Sequence, residues 1–321
     1  MTSNRDHGGD LDRAIQTYGG GSQDWLDLST GINPTPYPVP QISPRAWATL
    51  PTAADVAGLV NVAQNTYGGP CKPVALAGAQ AAIQLIPRLA TPGQARVLAP
   101  TYNEHAAALT AAGWTVTEVG TLKDLAGAEL AIVVNPNNPD GRCHTPNALL
   151  DLRGQVGRLV VDESFGDVTP EASVVRHAGP GLLVLRSFGK FYGLAGLRLG
   201  FVFCGPPDAA RLREIAGPWS VSGPAISIGQ RALADHAWAR ATRARLTRDA
   251  SRLDQLATQA GWTLIGGCSL FRTYQVAHAG DIQSQLARHH VWTRIFPYAP
   301  AWIRLGLPAQ DRWDQLETAL R

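Results

Sequence analysis

Short, uniformly apolar runs recur through the first two-thirds of the chain, separated by stretches whose apolar residues return every three to four positions. Val74-Ala-Leu-Ala77 predicts a buried strand, and beyond Gly78 an amphipathic helix runs from Ala79 to about Leu89. Arg96–Ala99 predicts the next strand and Asn103–Ala112 the next helix. Glu129–Asn135, Arg158–Asp162, Leu182–Arg186 and Leu197–Phe203 continue the strand series. Strands that are apolar at nearly every position, rather than at alternate ones, belong in a sheet covered on both faces, so this region reads as α/β. Ligands of such sheets gather beyond the carboxyl ends of the strands.

Punctuation bounds the region. The segment Gly31–Pro44 carries Pro34, Pro36, Pro38, Pro40 and Pro44, which exclude regular helix and predict an extended arm. Past Gly217 the pattern changes to a long helical stretch over 224–260, strands over 262–265 and 270–276, and a helix over 281–289. Strands over 291–296 and 302–307 and a helix from Asp311 complete it. The expected organisation is an amino-terminal arm (1–40), a large α/β domain (41–217) and a smaller α+β domain (218–321).

Composition narrows the classes. With 45% hydrophobic and 17% charged residues over 321 positions, the chain is an ordinary globular one. A net charge of +3 without a basic run gives no footprint for nucleic acid. No stretch reaches the roughly 18 apolar residues of a membrane span, and the polar start Met1–Asp10 lacks a signal peptide's apolar core. Cys71, Cys143, Cys204 and Cys268 lack C-x-x-C spacing, which argues against a zinc cluster or disulfide framework and leads us to expect a cytoplasmic protein without a metal. Only Lys72, Lys123 and Lys190 are lysines among 28 basic residues, so each needs its own reason.

Lys190 lies in Ser187-Phe-Gly-Lys-Phe-Tyr-Gly193, just past an apolar strand. A buried lysine amine can condense with an aldehyde, which arginine cannot do; equally, a lysine can snorkel to the surface. Asp162 closes an apolar strand, where a carboxylate requires a cation such as a protonated pyridine nitrogen, a metal, or a helix end to cap. Gly78-Ala-Gln80 opens a helix directly after a strand, a place where free backbone N–H groups suit a phosphate, although such turns are common. Neither G-x-G-x-x-G in a βαβ setting nor G-x-x-x-x-G-K-[ST] occurs, which disfavours dinucleotides and nucleoside triphosphates. Asn135-Pro-Asn-Asn-Pro-Asp-Gly141 offers three amides to a ligand oxygen, or is simply a turn. Arg294 and Arg304, inside expected strands, are either solvent-facing or clamps for an anion.

The order is more specific than any member: asparagine turn, strand-terminal Asp162, S-x-x-K, Arg198 eight residues past the lysine, late strand Arg304. This series resembles the class I/II aminotransferases, pyridoxal 5′-phosphate (PLP) enzymes of fold type I, over nearly the whole chain. The resemblance implies a large α/β sheet domain with a smaller α+β carboxyl-terminal domain, and a homodimer. It implies PLP on Lys190, Asp162 at the pyridinium nitrogen, Asn138 at the phenolic oxygen and Tyr102 stacked on the ring. The turn at Gly78, the amides of Ala79 and Gln80, Ser187 and Arg198 would bind the cofactor phosphate, and Arg304 the substrate carboxylate. Two positions depart from the family pattern: Phe165 where a tyrosine is frequent, and Leu50-Pro51 where many members carry a tyrosine that serves the partner subunit.

His7-Gly-Gly-Asp10 with Trp25–Pro34, and Thr293–Tyr298 with Trp302–Pro308, are similar to the corresponding stretches of the threonine-phosphate decarboxylases of cobalamin biosynthesis. That likeness implies decarboxylation of L-threonine O-3-phosphate, with His7, Gly8, Asn33, Arg294 and Arg304 around a small phosphorylated amino-acid substrate. The rival within the family is a histidinol-phosphate aminotransferase; the rival outside enzymology is a non-catalytic PLP-binding domain. Decarboxylation against transamination, and threonine phosphate against serine phosphate, stay open at this stage.

Overall fold

The computed structural model describes residues 7–321, in two compact units. The first unit comprises Met1–Thr35, Pro139–Gly141 and Arg240–Arg321; the second comprises Pro36–Asn138 and Arg142–Ala239. The first opens with a helix at Leu11–Tyr18, capped by the Asp10 carboxylate, and a two-residue strand β1 (Leu26–Asp27).

The second unit is built on a seven-stranded sheet: β2 (Val74–Leu76), β3 (Gln94–Leu98), β4 (Thr115–Val119), β5 (Leu130–Val134), β6 (Leu159–Asp162), β7 (Leu182–Ser187) and β8 (Gly200–Phe203). The spatial order is β2-β8-β7-β6-β5-β3-β4, with β8 antiparallel to both its neighbours and the other pairs parallel. Every residue of β5, β6 and β7 is buried, as uniformly apolar strands require. Ile132, Val160, Leu183 and Leu185 pack with Ile83, Leu109 and Leu212 of three covering helices. Each such side chain withdrawn from water contributes about 1.5–3 kcal/mol.

Several elements depart from expectation for identifiable reasons. Strand β4 is missing from the apolar pattern because it is a sheet edge: its Thr115-Val-Thr-Glu-Val119 pairs only with β3 and keeps a half-exposed polar face. The helix after Gly78 ends at Leu85 and tightens into a 3₁₀ turn at Ile86–Leu89, where Pro87 cannot supply the N–H an α-helix needs. The long helical stretch is two helices, Gly223–Ala234 and His236–Gln259, parted at Asp235, whose carboxylate accepts from Trp238 N at 2.9 Å.

The first unit carries the remaining strands, β9 (Thr263–Cys268), β10 (Phe271–Gln275), β11 (Val291–Trp292), β12 (Arg294–Phe296) and β13 (Ala299–Gly306). Four form an antiparallel sheet in the order β12-β13-β10-β9. The run 291–296, read as one strand, is divided at Thr293: β11 pairs in parallel with β1 and so ties the amino-terminal segment to the carboxyl-terminal part of this unit. Trp25, Ala14, Ala287 and Trp292 form the small core behind that pairing. Among the described residues no helix is long and apolar enough to cross a membrane.

Candidate active site

In the second unit, β6 and β7 are adjacent parallel strands, so their carboxyl ends bring Asp162 and Ser187 to the same edge of the sheet. Ser187 leads into a short helix, Phe188–Phe191, that carries Lys190. The aromatic neighbours of Lys190 belong to the core. Phe188 stacks on Tyr192 at 4.3 Å, Tyr192 stacks on Trp238 at 5.5 Å, and Tyr37 N donates to Tyr192 O at 2.8 Å. Their packing fixes the turn, and half-buried Lys190 directs its amine over the Phe165 ring, 4.8 Å from the centroid.

Asp162 is 2% exposed. One oxygen, Oδ1, accepts from Ser164 N at 2.8 Å and from Ser164 Oγ at 2.5 Å; the other, Oδ2, lies 2.8 Å from His105 Nε2. Burial alone would raise this carboxyl, but the hydrogen bonds from His105 and Ser164 outweigh it and hold the group below the ordinary carboxylate range. The neighbouring Glu163 has a different task. It meets Arg186 Nη1 at 2.7 Å while Arg186 Nη2 meets Asp167 at 2.9 Å. Burial works against the Arg186 charge, and the two carboxylates more than offset it. That buried ion network ties Arg186 of β7 to Glu163 and Asp167 and does not include Asp162.

Neither His105 nor Ser164 is singled out by the sequence. His105 follows Tyr102 by three residues, and their rings meet edge-on with centroids 6.3 Å apart. Tyr102 donates to Gln80 Oε1 at 3.3 Å, and Gln80 Nε2 donates to the buried Glu104 at 2.8 Å, so the tyrosine is tethered from its hydroxyl end. His105 lies in the first turn of the helix Glu104–Ala111, just past Tyr102.

The phosphate cradle is the second feature. Gly78 has φ +81°, and no side chain caps the helix Ala79–Leu85 that follows. A Cβ on Gly78 would lie 2.7 Å from Arg198 Nη2, so the guanidinium occupies the space that only glycine leaves. Arg198 itself adopts φ +53°, and a Cβ on Gly200, the β8 partner of Ser187, would meet Ala79 N at 2.6 Å. Open amides, a glycine and an arginine thus converge on one spot, which is the donor set for a phosphate. In the asparagine turn, Asn135 is committed to His144 (N to Oδ1, 2.7 Å) and Asn137 to Thr101 and Pro100 (2.6 and 2.9 Å). Asn138, the third amide of the turn, is half-buried. A half-buried lysine amine, an ionised buried carboxylate, a tethered tyrosine ring and this cradle fit a phosphorylated pyridine aldehyde. Among the described residues no group of three His, Cys, Asp or Glu side chains could hold a metal ion.

In the first unit, Arg294 of β12 stands directly opposite Arg304 of β13. Opposed residues share a face, and like charges there repel. Arg304 is 5% exposed, donates to Ser29 O at 2.7 Å, and lies 5.3 Å from the Phe271 ring centroid. Burial, and then the charge of Arg294, pulls it down to about 10. Arg294 donates to His7 O at 2.9 Å. Such a pair is suited to anions. The arm glycines have packing reasons: a Cβ on Gly8 would press on the Ser29 carbonyl, and Gly9 has φ +86°. Thus His7, Gly8, Arg294 and Arg304 come together, whereas Asn33 accepts from Arg245 at 2.6 Å and from Thr35 N at 3.0 Å.

Residues 56–321 match the family model for aminotransferase class I and II. Threonine-phosphate decarboxylases of a Sinorhizobium species and of Pseudomonas aeruginosa are each 43% identical to the chain, covering 96% and 98% of it and 95% and 97% of their own lengths. A histidinol-phosphate aminotransferase of Mycobacterium bovis is 33% identical over 66% of this chain and 61% of its own. Among solved structures, histidinol-phosphate aminotransferase from Sinorhizobium meliloti in complex with pyridoxal-5′-phosphate has a TM-score of 0.82 at 16% identity, covering 96% of this chain and 93% of that one. L-Threonine-O-3-phosphate decarboxylase from Porphyromonas gingivalis has a TM-score of 0.76 at 18% identity, covering 91% and 97%. At those identities the structures speak for the fold.

Proposed function

This chain belongs to the aminotransferase class I and II family, and from that premise we propose that it is a PLP-dependent decarboxylase of L-threonine O-3-phosphate. The products are CO2 and (R)-1-amino-2-propanol O-2-phosphate, a step in cobalamin biosynthesis. The observation that carries the reading is the opposed pair Arg294 and Arg304. A substrate with both a carboxylate and a phosphate answers two cations. Threonine-phosphate decarboxylases matching along nearly the whole chain support the same choice.

When bound, PLP supplies an electron sink for the pair released from a bond at the substrate's Cα. The chain's own residues do the rest. Lys190 holds the cofactor and carries the proton that Cα requires once CO2 has left. Asp162, kept ionised by His105 and Ser164, holds the proton on the ring nitrogen. The amides of Ala79 and Gln80, with Ser187 and Arg198, would take the cofactor phosphate, while Tyr102 would face the ring and Asn138 would donate to its phenolic oxygen. Arg304 takes the substrate carboxylate and Arg294 its phosphate, with His7, Gly8 and Asn33 as neighbours of the substrate.

We further infer a homodimer, supported by the exposed apolar residues Val39, Trp47 and Leu50 (55%, 68% and 62% exposed) within one short stretch, and a cytoplasmic location, supported by four cysteines without disulfide partners. The test is product analysis with L-threonine O-3-phosphate and PLP and no added 2-oxo acid. CO2 release with the cofactor regenerated as PLP is expected. Exchange between histidinol phosphate and 2-oxoglutarate without CO2 would overturn the reading in favour of the aminotransferase, and an unchanged absorption spectrum with every substrate would leave only a PLP-binding domain.

A further inference from the structure

Arg294 and Arg304 each donate to a backbone carbonyl of the amino-terminal segment, His7 O at 2.9 Å and Ser29 O at 2.7 Å respectively. A second path joins those two carbonyls. Gly9 N donates to Ser29 Oγ at 2.7 Å, and Ser29 Oγ and Ser29 N both donate to Asp27 Oδ1, at 2.6 and 2.8 Å. Ser29 is 1% exposed, and its carbonyl carbon would lie 3.1 Å from a Cβ placed on Gly8. The arm, a buried serine and two like-charged side chains therefore form a closed circuit within the first unit.

We propose that Ser29 is a positioning residue for substrate binding: its hydroxyl fastens the arm at His7–Gly9, its carbonyl sets the Arg304 guanidinium, and arm and anion clamp seat together. The inference rests on the reading of Arg304 and Arg294 as holders of the substrate's two anionic groups. The Ser29 hydroxyl donates to Asp27 Oδ1, which turns the Oγ lone pair toward Gly9 N and fixes its direction. A guanidinium is a rigid planar fork, so one carbonyl held in place fixes where its remaining N–H groups point. A clamp oriented before the substrate arrives needs no reorganisation on binding. Gly8 belongs to the same device, because any side chain there would push the Ser29 carbonyl and with it the Arg304 donor.

The experiment uses the full-length holoenzyme as wild type, Ser29→Ala and Gly8→Ala. Three quantities are read: hydrogen–deuterium exchange of the arm amides around Gly9, phenylglyoxal modification of Arg304 followed by peptide mass, and steady-state kinetics with L-threonine O-3-phosphate. In Ser29→Ala, arm exchange should quicken about tenfold and Arg304 should react severalfold faster. KM should rise about tenfold while kcat moves less than about twofold. Gly8→Ala, with the hydroxyl intact, should show the same faster exchange and modification. Unchanged arm exchange in both variants, or kcat falling together with cofactor content, would overturn the proposal. If wild type releases no CO2 from threonine phosphate, the functional reading fails, and the exchange and phenylglyoxal results still decide whether Ser29 ties the arm to Arg304.

Discussion

At the scale of single residues, the roles proposed for Asp162 and Lys190 rest on their surroundings: Asp162 is held by His105 and Ser164, and the Lys190 amine lies over the Phe165 ring. Asp162 stands out because a carboxylate ends an apolar run, and Lys190 because lysine is rare here. His105 lies 57 positions from the aspartate it contacts, and no local pattern connects them. Asp162→Asn should lower turnover by roughly 100-fold or more, because the charge that would hold the ring nitrogen protonated is gone. Equal turnover would return Asp162 to a structural role. Borohydride should fix the cofactor on the Lys190 peptide, and label found on Lys72 or Lys123 instead would refute the assignment. The sign of a pH effect follows from the same contacts. Asp162 has its carboxyl depressed, so the contribution of its ionised form is present above the ordinary carboxylate value and is lost as pH falls through the lower folded value. His105→Phe removes one of the depressing hydrogen bonds and should move the acid limb of the activity profile to higher pH, read from kcat against pH.

Elements carry a different kind of information. Buried strands declare themselves by short unbroken apolar runs, which is why β5, β6 and β7 are legible and the edge strand β4 is not. Register is hidden as well: Arg294 and Arg304 are both visible as strand arginines, but only the β12–β13 pairing shows that they oppose each other. Arg294→Ala should weaken threonine phosphate by about 2–5 kcal/mol, the loss of a desolvated charge pair, while sparing unphosphorylated threonine. Ligand-free stability should hold steady, because removing one of two opposed like charges compensates for its lost bond to His7. Equal losses with both substrates would remove Arg294 from the phosphate. In the turn before the helix Ala79–Leu85, Gly78→Ala meets both positive φ and the Arg198 guanidinium. PLP affinity, titrated by absorbance, should fall tenfold or more, consistent with a backbone strain of about 1–3 kcal/mol.

For the molecule as a whole, the motif order along the sequence and the family match converge on one architecture, with the antiparallel β8 inside an otherwise parallel sheet. What the order of motifs leaves out is the cost of keeping Arg294 beside Arg304 before any substrate is present. Anything that binds the folded state alone stabilises it, by about 2.7 kcal/mol at a hundredfold excess over Kd. Inorganic phosphate should therefore raise the melting temperature, and chloride at equal ionic strength should raise it less; identical curves would separate the pair from anion binding. The same pair makes buffer choice a variable of the enzymology. Orthophosphate bound at this pair would compete with threonine phosphate, so the working affinity in a phosphate buffer, or in a cell where orthophosphate is abundant, would be weaker than the one measured in an inert zwitterionic buffer.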